Sequence, residues 1–161
     1  MIALRPTPGF VFSHPAHAVA FGFGAGLAPT APGTFGTLLG WVIGLALGAL
    51  HAEAVLLAAL IAFVLGVWTC GVTGRHLGVA DHGGMVWDEV VAFLIVLFFV
   101  PATVLWQAAA FLVFRFFDIL KPPPIRYYER TFKNGFGVML DDLVAAFYTL
   151  LVFAVAKTVL Q

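Results

Sequence analysis

The chain has 161 residues, a length that fits one domain, with 62% hydrophobic and only 10% charged residues. Average soluble domains carry roughly 25% charged residues, so eight basic and eight acidic side chains are too few for an ordinary cytosolic surface. Zero net charge excludes a nucleic-acid binder with a basic face, the apolar content excludes a disordered chain, and the single cysteine, Cys70, excludes a disulfide framework or a Cys-based zinc site. What remains is an all-α, polytopic membrane bundle over residues 1–161. It has about five helices plus a short or re-entrant N-terminal helix, and the few retained polar residues carry its function.

The start, Met1 to Gly9, lacks the pattern of a cleavable signal peptide. Pro15 to Leu27 reads as a short helix that enters the membrane or lies in it. It is followed by a loop, because Gly22, Gly24, Gly26, Pro29 and Pro32 interrupt the apolar run. A first full span is expected over Thr34 to Leu50 and a turn at His51 to Glu53. A second span is expected over Ala54 to Val72 and a Gly-rich loop over Thr73 to Met85. A third span runs over Val86 to Val100, where Pro101 turns the chain, and a fourth over Val104 to Leu120. Lys121 and the three prolines after it stop that helix, Arg126 to Asn134 reads as a polar connector, and a fifth helix runs over Val138 to Leu160. Gly40, Gly44 and Gly48 form a close-packing face, used within the bundle or between copies in a homo-oligomer.

Arg5, Arg75, Lys121, Arg126, Arg130 and Lys133 fall on one side of this layout, and only Lys157 contradicts it. Basic short loops mark the cytoplasmic side. Six of the eight acids, Asp81, Asp88, Glu89, Asp118, Asp141 and Asp142, share that side. Gathering carboxylates at one face of a membrane costs free energy through repulsion and desolvation, and a divalent cation relieves both. Oxygen-only donors point to Mg²⁺ rather than Zn²⁺.

Each acid also has an ordinary structural explanation. Asp88–Glu89 and Asp141–Asp142 begin helices, where the macrodipole favours negative charge. Neighbours on a helix diverge by about 100°, so one member of each pair could face the bundle interior while the other faces a neighbouring helix or loop. Arg115 and Asp118 are three apart, an intrahelical ion pair or a phosphate-and-metal constellation. Lys121 snorkels or holds a phosphate. Thr34 is placed to cap the first span, with Thr37 one turn on, at a helix start able to hold a phosphate. His82, beside Asp81, is an acid–base candidate, although ordinary loop contacts are the better expectation for it.

Four strings occur in order: Gly26-Leu-Ala-Pro-Thr-Ala-Pro-Gly-Thr-Phe-Gly-Thr37; Asp81-His-Gly83 with Val86-Trp-Asp-Glu89; Arg115-Phe-Phe-Asp-Ile-Leu-Lys-Pro-Pro-Pro-Ile125; and Gly135-Phe-Gly-Val-Met-Leu-Asp-Asp142. Each alone is weak; together they resemble the phosphatidylglycerophosphatase A family of small bacterial inner-membrane phosphatases. Ala28 stands where many members have Ser, and Ala92 where Gly is common. The resemblance implies an all-helical bundle and Mg²⁺-dependent hydrolysis of the anionic phospholipid phosphatidylglycerophosphate to phosphatidylglycerol and inorganic phosphate at the cytoplasmic face.

On that basis Asp88, Glu89, Asp118, Asp141 and Asp142 are the expected catalytic acids. Asp88, Glu89, Asp118 and Asp142 are the expected metal ligands. Arg115, Lys121, Thr34, Thr37, Asp81 and His82 are the expected substrate contacts. Water or a carboxylate is the nucleophile; the residues leave both open. The rival reading is a small cation- or proton-coupled transporter using the clustered acids.

Overall fold

The computed structural model describes residues 6–48 and 50–160. Met1 to Arg5, Ala49 and Gln161 lie outside the described residues, and with them the orientation marker Arg5. Helices α1 (Pro8–Val11) and α2 (Pro15–Ala20) lead into a 3₁₀ segment (Gly22–Leu27). Then come α3 (Pro32–Leu47), α4 (Ala52–Leu77), α5 (Trp87–Phe99), α6 (Val104–Leu120), α7 (Ile125–Thr131) and α8 (Gly135–Leu160), with no strand among the described residues.

The chain is therefore all-helical, but the expected helix count is too low. Among the described residues, α1, α2 and the 3₁₀ segment precede the five long helices α3, α4, α5, α6 and α8, and α7 lies between α6 and α8. The N-terminal helix expected over Pro15 to Leu27 is broken because Phe23 (φ 54°) and Gly24 (φ 107°) adopt left-handed backbone that no right-handed helix continues through. The connector expected over Arg126 to Asn134 is largely helical: fully buried Ile125 anchors α7 against α8, and one such anchor orders a polar segment.

Helix α4 runs five residues past the expected Val72, until Gly78 closes it in the left-handed region (φ 70°). Helix α8 starts at Gly135 rather than Val138, and the Asn134 carboxamide oxygen accepts the Gly137 N–H at 3.0 Å.

Helix α5 is the axis of the bundle. Its 13 residues are apolar after Glu89, and it is packed by α3, α4, α6 and α8. A helix hydrophobic on all sides has no solvent face, and Val90, Val91, Ala92, Phe93 and Val96 are accordingly buried. Helix α3 approaches it closely through small residues: a methyl added at Gly40 would stand 2.8 Å from the Val90 carbonyl oxygen. Gly40 and Gly44 are thus used inside the chain against α5, and Gly48 is the exposed member of that stripe. Two indole donors tie the outer helices in: Trp87 Nε1 donates to the Ala62 carbonyl at 2.9 Å and Trp41 Nε1 to Gln107 Oε1 at 2.7 Å.

Helix α4 and Gly135–Val159 of α8 are long and apolar enough to cross a membrane. Their outer faces expose Leu57, Leu60, Ile61 and Val64, and Phe147, Leu151, Val155 and Val159. Contiguous exposed apolar surface of this kind is uncommon on soluble monomers.

Candidate active site

The packing brings the starts of α3, α5 and α8 to the end of α6. Asp88 and Glu89 enter from α5, Arg115 and Asp118 from the last turns of α6, and Asp141 and Asp142 from α8. Asp88, Asp118, Asp141 and Asp142 are buried, and the Glu89 side chain is only 12% exposed.

The carboxylate oxygens of Glu89, Asp118 and Asp142 lie within 4.8 Å of one another, as do those of Asp88, Asp141 and Asp142. Both members of each adjacent acid pair therefore take part in the cluster. The 100° between neighbours does not separate them, because acids from other helix ends meet each face.

Two cations touch the cluster. Arg115 Nη1 contacts Asp118 Oδ2, lies 3.7 Å from Glu89 Oε1 and donates to Thr37 Oγ1 at 3.4 Å. Thr37 Oγ1 in turn donates to the Gly33 carbonyl at 2.9 Å, which fixes its hydroxyl toward the guanidinium. Lys121 Nζ is 2.7 Å from Asp141 Oδ2 and 3.2 Å from Glu129 Oε1. Burial opposes the Lys121 charge, but Asp141 and then Glu129 outweigh it and push its pKa up, so it stays protonated. It holds this place in left-handed backbone (φ 44°, ψ 63°), a conformation that costs a residue with a side chain about 1–2 kcal/mol.

Counted as carboxylates, the five acids outnumber the two cations by three, and they do so among almost wholly buried side chains, where unpaired charge is costly. The polar atoms are not all satisfied either. Asp88 Oδ1, Glu89 Oε2, Asp141 Oδ1 and Asp142 Oδ2 are buried without a hydrogen-bond partner, and so is Arg115 Nε. Buried polar groups are nearly always paired. Orphan acceptors grouped beside an orphan donor could hold a cation next to an anion.

Thr34 is not the helix cap. Pro32 opens α3, left-handed Ala31 (φ 48°) precedes it, and Thr34 lies inside the first turn, its N–H donating to the Ala31 carbonyl at 2.9 Å. Proline supplies the helix start that the hydroxyl was expected to supply. His82 Nδ1 accepts the Gly84 N–H at 3.0 Å within its own turn. Asp81 is exposed, with an oxygen near Glu129 and Asp141.

Two participants were missed. Glu129 reaches Lys121 from α7; as the lone acid within the basic run Arg126 to Lys133, it carried a signal. Gly33 sits where an added methyl would run into Glu89 Oε1 and stand 3.0 Å from Arg115 Nη1, and only the assembled fold reveals that.

A model of the family described as Phosphatidylglycerophosphatase A matches residues 18–157. A Haemophilus influenzae protein named phosphatidylglycerophosphatase A is 47% identical over 141 residues, covering 86% of each chain. An Escherichia coli protein of the same name is 40% identical over 134 residues, covering 83% of this chain and 78% of the relative. A Bacteroides thetaiotaomicron protein, provisionally named a phosphatidylinositol-3-phosphatase, is 39% identical over 150 residues, covering 88% of this chain and 93% of its own. No solved structure matches. The matched region contains every helix end that builds the acid cluster, and the chain belongs to the phosphatidylglycerophosphatase A family.

Proposed function

We propose that the chain is an Mg²⁺-dependent lipid phosphatase that hydrolyses phosphatidylglycerophosphate to phosphatidylglycerol and inorganic phosphate. In this reading it is a multi-pass protein of the bacterial inner membrane with its site on the cytoplasmic face. The observation that carries it is the buried cluster in which orphaned carboxylate oxygens adjoin Arg115. Family membership and the names of the relatives support the substrate class.

The donor set fits Mg²⁺: carboxylate oxygens without sulfur, several of them lacking any partner. Asp88, Glu89, Asp118, Asp141 and Asp142 would hold it. When bound, the metal supplies charge neutralisation and polarisation of the phosphoryl oxygens. Arg115 holds a phosphate oxygen through its unpartnered Nε, positioned by Thr37, Asp118 and Glu89. Lys121 secures Asp141 through Oδ2 and leaves its Oδ1 unpaired. Phosphomonoester hydrolysis is mostly a matter of positioning and charge stabilisation, which such a buried set of charged groups supplies. Apolar faces on α3, α4, α6 and α8 support a bilayer location and contact with the acyl chains.

The transporter reading is not favoured. The acids stop at one end of the bundle, and α5 continues from Val90 to Phe99 without a polar side chain.

The test is phosphate release by the purified protein from a panel of phosphorylated lipids. Turnover of phosphatidylglycerophosphate above the inositide, abolished by chelator and restored by Mg²⁺, is expected. Chelator-insensitive turnover removes the metal, and preference for an inositide phosphate removes the headgroup.

A further inference from the structure

We infer that the acid cluster is two adjoining divalent-cation positions bridged by Asp142. This inference rests on the phosphatase reading and extends it from a metal requirement to the number of ions and the ligands of each.

The acids divide into two sets, Glu89 with Asp118 and Asp142, and Asp88 with Asp141 and Asp142, each with ligand oxygens within 4.8 Å of one another. Oxygens around one Mg²⁺ sit about 2.1 Å from the ion, hence at most about 4.2 Å apart, so each set closes on one ion with little adjustment. Asp142 alone belongs to both sets, and its burial between them suits a bridging carboxylate.

The orphaned atoms divide in the same way. Asp88 and Asp141 of the one set and Glu89 of the other each keep an unpartnered oxygen, Oδ1, Oδ1 and Oε2, and Asp142 Oδ2 is also unpartnered. Asp88, Asp141 and Asp142 are each more than nine-tenths buried. Glu89 and Asp141 each turn one oxygen toward a cation of the protein and leave the second unpaired.

A third grouping, Asp81 with Glu129 and Asp141, is different in kind. Lys121 Nζ already stands 2.7 Å from Asp141 and 3.2 Å from Glu129, so this group has its cation.

Charge favours two ions over one. Counted as carboxylates, the five acids outnumber Arg115 and Lys121 by three, and Lys121 is shared with Glu129. One divalent ion therefore leaves the cluster negative toward a phosphomonoester, which itself carries about two negative charges at neutral pH, and a second ion relieves that repulsion.

The test uses the full chain in detergent, stripped of metal and titrated with Mn²⁺. Bound ion is counted against free Mn²⁺ by electron paramagnetic resonance, and spin coupling is read at low temperature. Two coupled Mn²⁺ per chain are expected. Asp88→Asn and Glu89→Gln, each confined to one set, should retain one uncoupled ion, and Asp142→Asn should weaken both by tenfold or more. Saturation of the native chain at one ion, or two uncoupled ions indifferent to Asp142→Asn, overturns the inference. Phosphate release is measured on the same samples. One Mn²⁺ with lipid turnover intact sinks the bridge and spares the phosphatase; two coupled ions without turnover of any phosphorylated lipid do the reverse. Should Asp142→Asn fail to fold, as judged by thermal unfolding, the counts for the other two variants decide.

Discussion

Adding one methyl group at Gly33 should disable the site while leaving the fold intact. In Gly33→Ala the new Cβ runs into Glu89 Oε1 and lies 3.0 and 3.1 Å from Arg115 Nη1 and Nη2. All three atoms are tips of flexible side chains, so the backbone has no need to move and stability should stay within about 1 kcal/mol, helped by alanine's better helix propensity. The tips, however, are groups of the proposed site. Restoring ordinary contact requires the Glu89 carboxylate to retreat by about 1 Å, and a displacement of that size costs on the order of 10²-fold in rate, about 2.7 kcal/mol of transition-state stabilisation. The assay is phosphate release from phosphatidylglycerophosphate in mixed micelles, with the thermal unfolding midpoint measured on the same protein. Gly40→Ala is the contrasting variant. There the methyl meets backbone, 2.8 Å from the Val90 carbonyl oxygen and 3.1 Å from its Cα, so α3 and α5 must part and the midpoint should fall. Gly33→Ala with turnover within threefold of the native protein would refute the placement of Glu89 and Arg115 in the reaction.

Other outcomes follow from the same geometry. Asp118→Asn keeps the shape of the side chain but removes its charge beside Arg115 and Asp142, and should lower kcat by about 10²–10³-fold; near-native turnover in a steady-state assay would displace Asp118 from the site. Lys121→Met leaves the buried Asp141 carboxylate without its ion pair and should destabilise by about 1–3 kcal/mol, whereas Glu129→Gln, at a half-exposed partner, should cost under about 1 kcal/mol. Equal losses in denaturant titrations would contradict that ranking. Burial, only partly offset by the Phe10 carbonyl and reinforced by His76 and His14, holds the His17 pKa below its ordinary value of 6.5. The folded chain then binds fewer protons than the unfolded chain, so this contribution is favourable above pH 6.5 and is lost as pH falls below it. His17 also joins the N-terminal helices to α4 through its 2.8 Å contact with His76. Thermal midpoints from pH 5 to 8 should therefore fall on acidification, and His17→Gln should flatten that fall.

Composition and spacing alone determined much of this protein. Long uncharged runs broken by prolines required an all-helical chain, and α6 lies where the sequence placed it, from Val104 to the Lys121 stop. The same pattern put six acids at one end of the helices, because alternating the chain direction sends those segments to a common side. Local signals failed where a distant contact ruled. Ile125 orders α7 only by docking against α8, and Glu129 reaches Lys121 only because α7 is ordered. A glycine or threonine reads alike in many strings. Gly33 matters through the carboxylate and guanidinium that two other helices press against it, and Thr37 through the guanidinium it faces. The division of the acids into two sets sharing Asp142 was likewise a decision of the packing, since residues 88 and 142 meet only when α5 and α8 lie side by side. Which oxygens remain unpaired depends on angles between helices, and a one-dimensional pattern does not carry those angles.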